Sequence, residues 1–432
     1  MRLLTTSLLA SLLLSLTACS SVEPAYLQPS GQAIDAPAAT TEFSDYLSDS
    51  HQRIKSSLTA APSPEGFLGG YNASSAADLR APYELAPAAE CQSDTALAGS
   101  GKAFLMIHGL TDSPYTLHNV ADDLHGAYPC ALIRSIVLPG HGTVPGDTLD
   151  MSHQQWQAAV RYGVGSFSAD EASQLYLVGF STGTSLIVDY LNQPNPDNRI
   201  AGAVLLSAAI QANSSMAFLA PYVRHLKSWM SVAQERDAAR YESFSFNAGA
   251  EFYLLTKDMK QAANALQVPL LMAVSADDTT INAAAAREFF CYASESERKL
   301  LVWYESADKD VNARQAKQAE LQCDGIQTIS PASFDPQWQT LNVAHTAISG
   351  SPADPHYGFN GNYRHCRSYE DGSKEFNECQ TNTADSVFGE DQSLLEKQGL
   401  LGERYFRRGT FNPDYANLIG RVICLADEQC EL

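Results

Sequence analysis

Between residues 100 and 305 the chain alternates short apolar runs with stretches whose apolar positions recur every three or four residues. The runs "KAFLMIHGL", "ALIRSIVLPGHG", "QLYLVGF", "IAGAVLLSAA", "VPLLMAVSADD" and "KLLVWYES" are rich in apolar residues on both alternating faces. A strand that is apolar on both faces belongs inside a sheet covered on both sides, so these runs predict buried parallel strands. The segments between them, such as "SPYTLHNVADDLHGAY" with Leu117, Val120, Ala121 and Leu124, carry helical spacing. Strand and helix in alternation predict βαβ units. The expected fold class is therefore α/β, a mostly parallel sheet with helices on both faces.

Three regions depart from this rhythm. Residues 211–265 are mostly helical in pattern and are expected to form a cap over the carboxyl ends of the strands. Its Met216, Phe218, Leu219, Tyr222, Trp229 and Met230 could line an acyl pocket, but most of them are expected to bury the cap against the core. Residues 306–335 are polar and read as an insertion, after which "LNVAH" is a strand-like run ending at His345; residues 350–432 read as a disulfide-rich C-terminal extension. Near the other end, residues 19–64 are rich in Ala, Pro, Ser and Thr and predict a tether, interrupted by the helix-like "FSDYLSDSHQRIKSSL". The globular body is expected from residue 65 to 432.

Composition narrows the partners. Asp and Glu number 49 against 28 Lys and Arg, a net charge of −21, which argues against nucleic acid or an anionic membrane surface as an electrostatic partner. Residues 1–18, a basic start followed by "LLTTSLLASLLLSL", read as a signal peptide. The Leu-Thr-Ala-Cys ending resembles the bacterial lipobox. That resemblance implies lipidation of Cys19, a membrane partner through the N-terminal anchor and, with Ser20 next, an outer-membrane lipoprotein of a Gram-negative envelope. Setting Cys19 aside leaves eight cysteines, an even number in an exported chain, which reads as disulfides. Sequence neighbours suggest the pairs 91–130, 291–323, 366–379 and 424–430. No CxxC pair or Cys/His cluster has ligand spacing, so no metal and no other cofactor is expected.

Candidate chemistry falls at the predicted strand ends, where open parallel sheets gather their ligands. Gly179-Phe180-Ser181-Thr182-Gly183 has the form G-x-S-x-G between a strand and a helix, Asp277-Asp278 follows a later strand, and His345 comes last. A serine nucleophile needs a base to take its proton and an acid to orient that base. With His108-Gly109-Leu110, "LPGHG" at 138 to 142 and "VSADDTTIN" at 274 to 282, the chain resembles serine hydrolases of the α/β-hydrolase superfamily, close to the monoglyceride lipase, lysophospholipase and carboxylesterase group.

That resemblance covers residues 100 to 350. It implies Ser181 as nucleophile, Asp278 as acid with Asp277 as the alternative, and an oxyanion hole from the backbone N–H groups of Leu110 and Thr182. The place where the family's histidine usually stands reads Ala307-Asp308-Lys309-Asp310. The base is then sought among His345, His356 and His365. His345 is the expected one because of its strand-end position; the other two read as loop residues, and His108 and His141 as braces of their loops. The implied activity is hydrolysis of carboxylic esters, small-molecule or lipid, of monoacylglycerol or lysophospholipid type. A peptidase or amidase of the same fold and a non-catalytic envelope-binding lipoprotein are the alternatives.

Overall fold

The computed structural model describes residues 24–61, 67–93, 101–261, 266–305, 323–397, 399, 401–427 and 429–431. The predicted signal segment, Cys19 and residues 306–322 of the predicted insertion lie outside the described residues. In chain order the strands are β1 (Tyr83–Leu85), β2 (Lys102–Ile107), β3 (Leu132–Ile136), β4 (Gln174–Phe180), β5 (Ile200–Leu206), β6 (Trp229–Ser231), β7 (Phe244–Ser245), β8 (Leu270–Ser275), β9 (Lys299–Tyr304), β10 (Ile326–Ile329), β11 (Ser386–Gly389) and β12 (Tyr405–Arg408). One sheet has the order β1-β3-β2-β4-β5-β8-β9-β10. Only the β1/β3 pair in it is antiparallel. The six strands predicted from apolar runs are β2, β3, β4, β5, β8 and β9, and the fold is that of an α/β-hydrolase.

Both faces of this sheet are buried, which is why those runs read as continuous rather than alternating. On β2, Ala103, Leu105 and Ile107 point into one core while Phe104 and Met106 point into the other. On β4 the division is Leu175 and Leu177 against Tyr176, Val178 and Phe180. The chain reverses direction across the sheet at β2, which lies between β3 and β4. The loops that follow β2 and β4 therefore meet at the switch point, the crevice where such sheets bind ligands.

Several expectations need correction. Residues 24–61 are not a tether. The helix Phe43–Ala60 packs its apolar stripe into the first core, with Tyr46, Ile54 and Leu58 buried, and Tyr26, Leu27 and Ile34 ahead of it are buried as well. An Ala- and Ser-rich composition hid an amphipathic face that packs on the helix His153–Gly165 and on the loop after β3. "LNVAH" is not a strand either. The strand after β9 is β10, parallel to it at the sheet edge, and His345 opens the short 3₁₀ turn His345–Ala347. Val343 and Ala344 are apolar because they pack into the second core, not because they pair in a sheet.

The cap is mixed rather than mostly helical. It holds the short helix Ala220–Val223, the antiparallel pair β6/β7, a stretch without regular structure and the helix Phe246–Gln261. Trp229 is buried, but Met216, Phe218, Tyr222 and Met230 are exposed, contrary to the expectation that they bury the cap. The C-terminal segment also divides. Residues 386–408 form the parallel pair β11/β12, whereas the helix Tyr415–Leu425 lays Leu418, Ile419, Val422 and Leu425 on the second core. All four suggested disulfides are formed, 91–130, 291–323, 366–379 and 424–430.

Candidate active site

Ser181 stands between β4 and the helix Thr182–Leu191, with φ 50° and ψ −119°. That conformation is foreign to a residue with a Cβ and costs on the order of 1–3 kcal/mol, so the surroundings must hold it. They do so from several sides. Ser181 N–H donates to the carbonyl of Leu206 on β5 at 2.9 Å. The Thr184 hydroxyl donates to the Ser181 carbonyl at 2.6 Å and accepts the Ala209 N–H at 2.8 Å.

The two flanking glycines have separate physical reasons. A Cβ on Gly183 would lie 2.0 Å from the Ile107 carbonyl, so the helix could not close on the end of β2. A Cβ on Gly179 would lie 2.7 Å from Ile187 and 2.8 Å from the Gly183 backbone, so strand and helix could not fold back on each other. Gly109 is as confined. A Cβ there would lie 2.8 Å from the Ser181 Cβ and 2.5 Å from an oxygen of Asp112. The loop after β2 thus passes directly against the serine, and Leu110 and Thr182 line one cavity with Ser181 and His345. Thr182 opens its helix, so its N–H has no partner within that helix.

The structure brings three of the predicted residues into one relay. His345 Nε2 lies 2.9 Å from Ser181 Oγ, and His345 Nδ1 lies 2.6 Å from Asp278 Oδ2. The other oxygen of Asp278 accepts the N–H groups of Thr280 at 2.7 Å and Ile281 at 2.9 Å, which fixes the carboxylate toward the ring. Asp277 is buried beside it, but the imidazole bond goes to Asp278.

Residues with no recognisable motif hold this relay in place. Glu390, just after β11, has a fully buried side chain. One of its oxygens accepts Thr279 N–H at 3.0 Å, the Thr279 hydroxyl at 2.5 Å and Arg408 at 2.7 Å. The other accepts His345 N–H at 2.9 Å and Arg408 Nε at 3.3 Å. A single carboxylate therefore ties the loop of the acid to the loop of the base. Ser207, at the end of β5 with φ 53°, donates its hydroxyl to the His345 carbonyl at 2.7 Å. Local sequence held no sign of either residue.

The remaining histidines sort by environment. Leu138 N–H donates to His108 Nε2 at 2.9 Å, and burial pushes that imidazole well below its usual range, so it is a neutral brace between the β2 and β3 loops. His141, likewise buried, is pushed down to about 4 and stacks on Tyr241 of the cap. His356, read as a loop residue, is buried, and its Nε2 lies 2.9 Å from Asp237 of the cap. His365 lines the cavity, where burial and the charges of Arg240, Arg408 and Arg367 hold it well below the usual range. Asp112 also faces the cavity. Burial raises its carboxyl to about 6, against the opposing pull of Arg240 and His345.

The cavity around Ser181 has a volume of about 640 Å³. Leu219, Val223, Phe244 and Phe252 of the cap form an apolar wall, and Arg240, Arg367 and Arg408 line it elsewhere.

A family model described as "Serine aminopeptidase, S33" matches residues 100–308. No curated protein matches the chain in sequence. Among solved structures, the chain is similar to a metagenome-derived lipolytic enzyme at 19% identity and a TM-score of 0.43, covering 55% of this chain and 96% of that one. It is similar to a monoacylglycerol lipase from Paleococcus ferrophilus at 16% identity and a TM-score of 0.41, over 55% and 96% of the two chains. It is also similar to a soluble variant of monoglyceride lipase from Saccharomyces cerevisiae at 16% identity and a TM-score of 0.39, over 49% and 81%.

Proposed function

We propose that this protein of the α/β-hydrolase fold is a serine hydrolase that cleaves carboxylic esters of monoacylglycerol or lysophospholipid type through an acyl-enzyme. The observation that carries the reading is the continuous relay from Ser181 Oγ through His345 to Asp278. In it, Ser181 Oγ attacks the ester carbonyl while His345 Nε2 takes the hydroxyl proton, and Asp278 holds the ring and balances the imidazolium. His345 returns the proton to the leaving alcohol. Water then attacks the acyl-enzyme by the same relay, releasing the acid and freeing Ser181. The N–H groups of Leu110 and Thr182 are the proposed donors to the oxyanion, each contributing about 3 kcal/mol to the transition state.

The apolar wall of the cavity supports an acyl substituent over a polar one. The decisive experiment is labelling with a fluorophosphonate probe, together with hydrolysis of esters of graded chain length. Labelling that disappears in Ser181→Ala supports the reading; a folded wild type that neither labels nor hydrolyses any ester overturns it in favour of a non-catalytic envelope role. A second reading, amide or peptide cleavage, is favoured by the description of the matching family model. The cavity is lined by Asp112 and Glu242 as well as by three arginines, so its charge does not select a free ammonium terminus, and turnover of aminoacyl amides in preference to esters would favour this second reading.

The same proposal includes export and lipidation. Residues 1–18 followed by Cys19 support an anchor in the cell envelope, on the outer membrane. Incorporation of a labelled fatty acid in cells, lost in Cys19→Ser, is the expected result; equal incorporation in that variant refutes it.

A further inference from the structure

We propose that the wall which the C-terminal extension contributes to the cavity is an anion subsite: Arg367, with His365 and Arg408 beside it, receives a carboxylate or phosphate that the ester substrate carries on the side away from its acyl chain. The proposal rests on the ester-hydrolase reading in that the ligand is a substrate. The affinity of the wall for an anion does not depend on turnover.

Charge is unevenly distributed in this acidic chain. Asp and Glu outnumber Lys and Arg by 49 to 28, yet residues 355–369 hold Arg364 and Arg367 and no acid. Residues 404–413 likewise hold Arg404, Arg407 and Arg408 and no acid. The fold brings these two segments together. Arg408 N–H donates to the His365 carbonyl at 3.1 Å, and the Cys366–Cys379 disulfide fastens the first segment to the helix Lys374–Thr381. His365, Arg367 and Arg408 thereby line the cavity that holds Ser181. All three lie beyond residues 100–308, so this wall is built by sequence outside the part that matches the family model.

Two of the three cavity arginines are already matched. Arg240 Nε lies 3.1 Å from Asp237, and Arg408 lies 2.7 Å from Glu390. Arg367 is different. Among the described residues it makes no ion pair, and its hydrogen bond runs from Nη1 to the backbone carbonyl of Glu242 at 2.6 Å. The Glu242 carboxylate, which lines the same cavity, is occupied elsewhere: it accepts the Tyr363 hydroxyl at 2.7 Å and the N–H groups of Arg236 and Asp237. One nitrogen of the Arg367 guanidinium is thus fixed, while Nε and Nη2 have no partner among the described residues. Two adjacent N–H donors on one edge of a planar cation match two oxygens of a carboxylate or phosphate.

The surrounding cations lack a counter-charge of their own. Arg407, buried one position before Arg408, donates to the Cys379 carbonyl at 2.9 and 2.6 Å and makes no ion pair among the described residues. Burial, and after it the charge of Arg364, push its guanidinium down to about 10. His365 is kept neutral by burial and by Arg240, Arg408 and Arg367, so it adds an N–H donor to the wall without a charge. A bound anion relieves this repulsion. Because the segment is cross-linked and Arg367 is tethered to the cap, little further ordering opposes binding.

The two walls then divide the substrate. Leu219, Val223, Phe244 and Phe252 of the cap suit the acyl chain, and the wall from the extension suits an anionic end.

The test begins with the full chain carrying Ser181→Ala, titrated by calorimetry at low salt. The ligands are three amphiphiles without an ester: octyl glyceryl ether, its phosphate, and octyloxyacetate. The expected result is that at least one of the two anions binds about tenfold more tightly than the neutral ether. Arg367 is exposed, so Arg367→Gln is expected to fold. Added to Ser181→Ala, it should bring that ratio to about one, and Arg367→Lys should restore part of it. The tighter of the two anions identifies phosphate or carboxylate as the group recognised. With Ser181 intact, the octanoyl esters of glycerol, glycerol phosphate and glycolate should show the same preference, carried by KM rather than kcat. Equal binding of neutral and anionic ligands, or a ratio unchanged in Arg367→Gln, overturns the proposal. A protein that binds the anions with this preference but hydrolyses no ester refutes only the ester reading. One that hydrolyses all three esters with equal kcat/KM refutes only the subsite.

Discussion

Replacing Glu390 by glutamine keeps the shape of the side chain and removes its charge and one acceptor oxygen. In the wild type the two oxygens take the N–H of Thr279, the Thr279 hydroxyl, the N–H of His345 and two nitrogens of Arg408. A glutamine amide offers one acceptor. In either orientation its NH₂ faces a backbone N–H, of His345 or of Thr279, and that donor is left without a partner in a site closed to water. Hydrogen bonds to a charged group are worth about 1.5–3 kcal/mol each, and Arg408 keeps enough exposure to recover some of its loss in solvent. We expect Glu390→Gln to lower the unfolding free energy by about 3 kcal/mol.

The effect on chemistry is separate. Asp278 and His345 sit on loops that this carboxylate joins, and a shift of about 1 Å in reacting groups costs on the order of 10²-fold. The expected kinetic result is a kcat for ester hydrolysis lower by about 10–100-fold with KM little changed, and fluorophosphonate labelling slowed by a similar factor. Unfolding in urea and circular dichroism at the assay temperature establish that the variant is folded. Glu390→Asp, which keeps the charge on a shorter arm, is expected to recover part of the labelling rate. A folded Glu390→Gln with wild-type kcat and labelling would refute the claim that this carboxylate positions the relay, whatever happens to stability.

Four further outcomes follow from the geometry. Asp278→Asn should lower kcat by about 10³–10⁴-fold because its amide favours the wrong ring tautomer, whereas Asp277→Asn should stay within about tenfold; the reverse order in a steady-state assay would reassign the acid. Asp112 has a carboxyl raised from 3.8 to about 6, so its contribution to stability is full below about pH 4 and is lost as pH rises through about 6. Asp112→Asn should remove that slope and, above about pH 7, stabilise by up to about 3 kcal/mol, measured by urea unfolding across pH. Ile54→Ala, in the helix Phe43–Ala60 and fully buried, should cost about 3 kcal/mol of stability, and no change would return residues 24–61 to the role of a tether. Gly183→Ala should abolish labelling or folding, since its Cβ has only 2.0 Å to the Ile107 carbonyl; a folded and fully labelled variant would contradict the elbow geometry.

Legibility differed sharply from one part of the chain to another. Strands β2, β4, β5 and β8 were readable because a strand buried on both faces has to be apolar throughout, whatever surrounds it. The elbow at Ser181 was readable for a similar reason, as Gly179 and Gly183 answer to contacts within a few residues or with the adjacent strand. His345 was harder. Its apolar run "LNVAH" imitates a strand, since burial in the second core and pairing in a sheet select the same side chains. The helix Phe43–Ala60 was missed as part of the body because its partners, the helix His153–Gly165 and the loop after β3, lie far away in sequence.

What the sequence determined by itself is the order of elements, the turn that carries Ser181 and the set of residues from which a relay could be built. Those features depend on local backbone geometry and on burial along single strands. Only the tertiary structure decided which carboxylate meets the imidazole, because Asp277 and Asp278 differ by one position and the choice depends on how the loop is turned by Thr280, Ile281 and Glu390. It also decided that Met216, Tyr222 and Leu226 face outward, since an apolar side chain carries no mark of whether a partner covers it. Contacts between residues 45 and 111 positions apart, Glu390 with His345 and with Thr279, leave no trace in any short window of the chain. They arise only when the extension folds back over the strand ends.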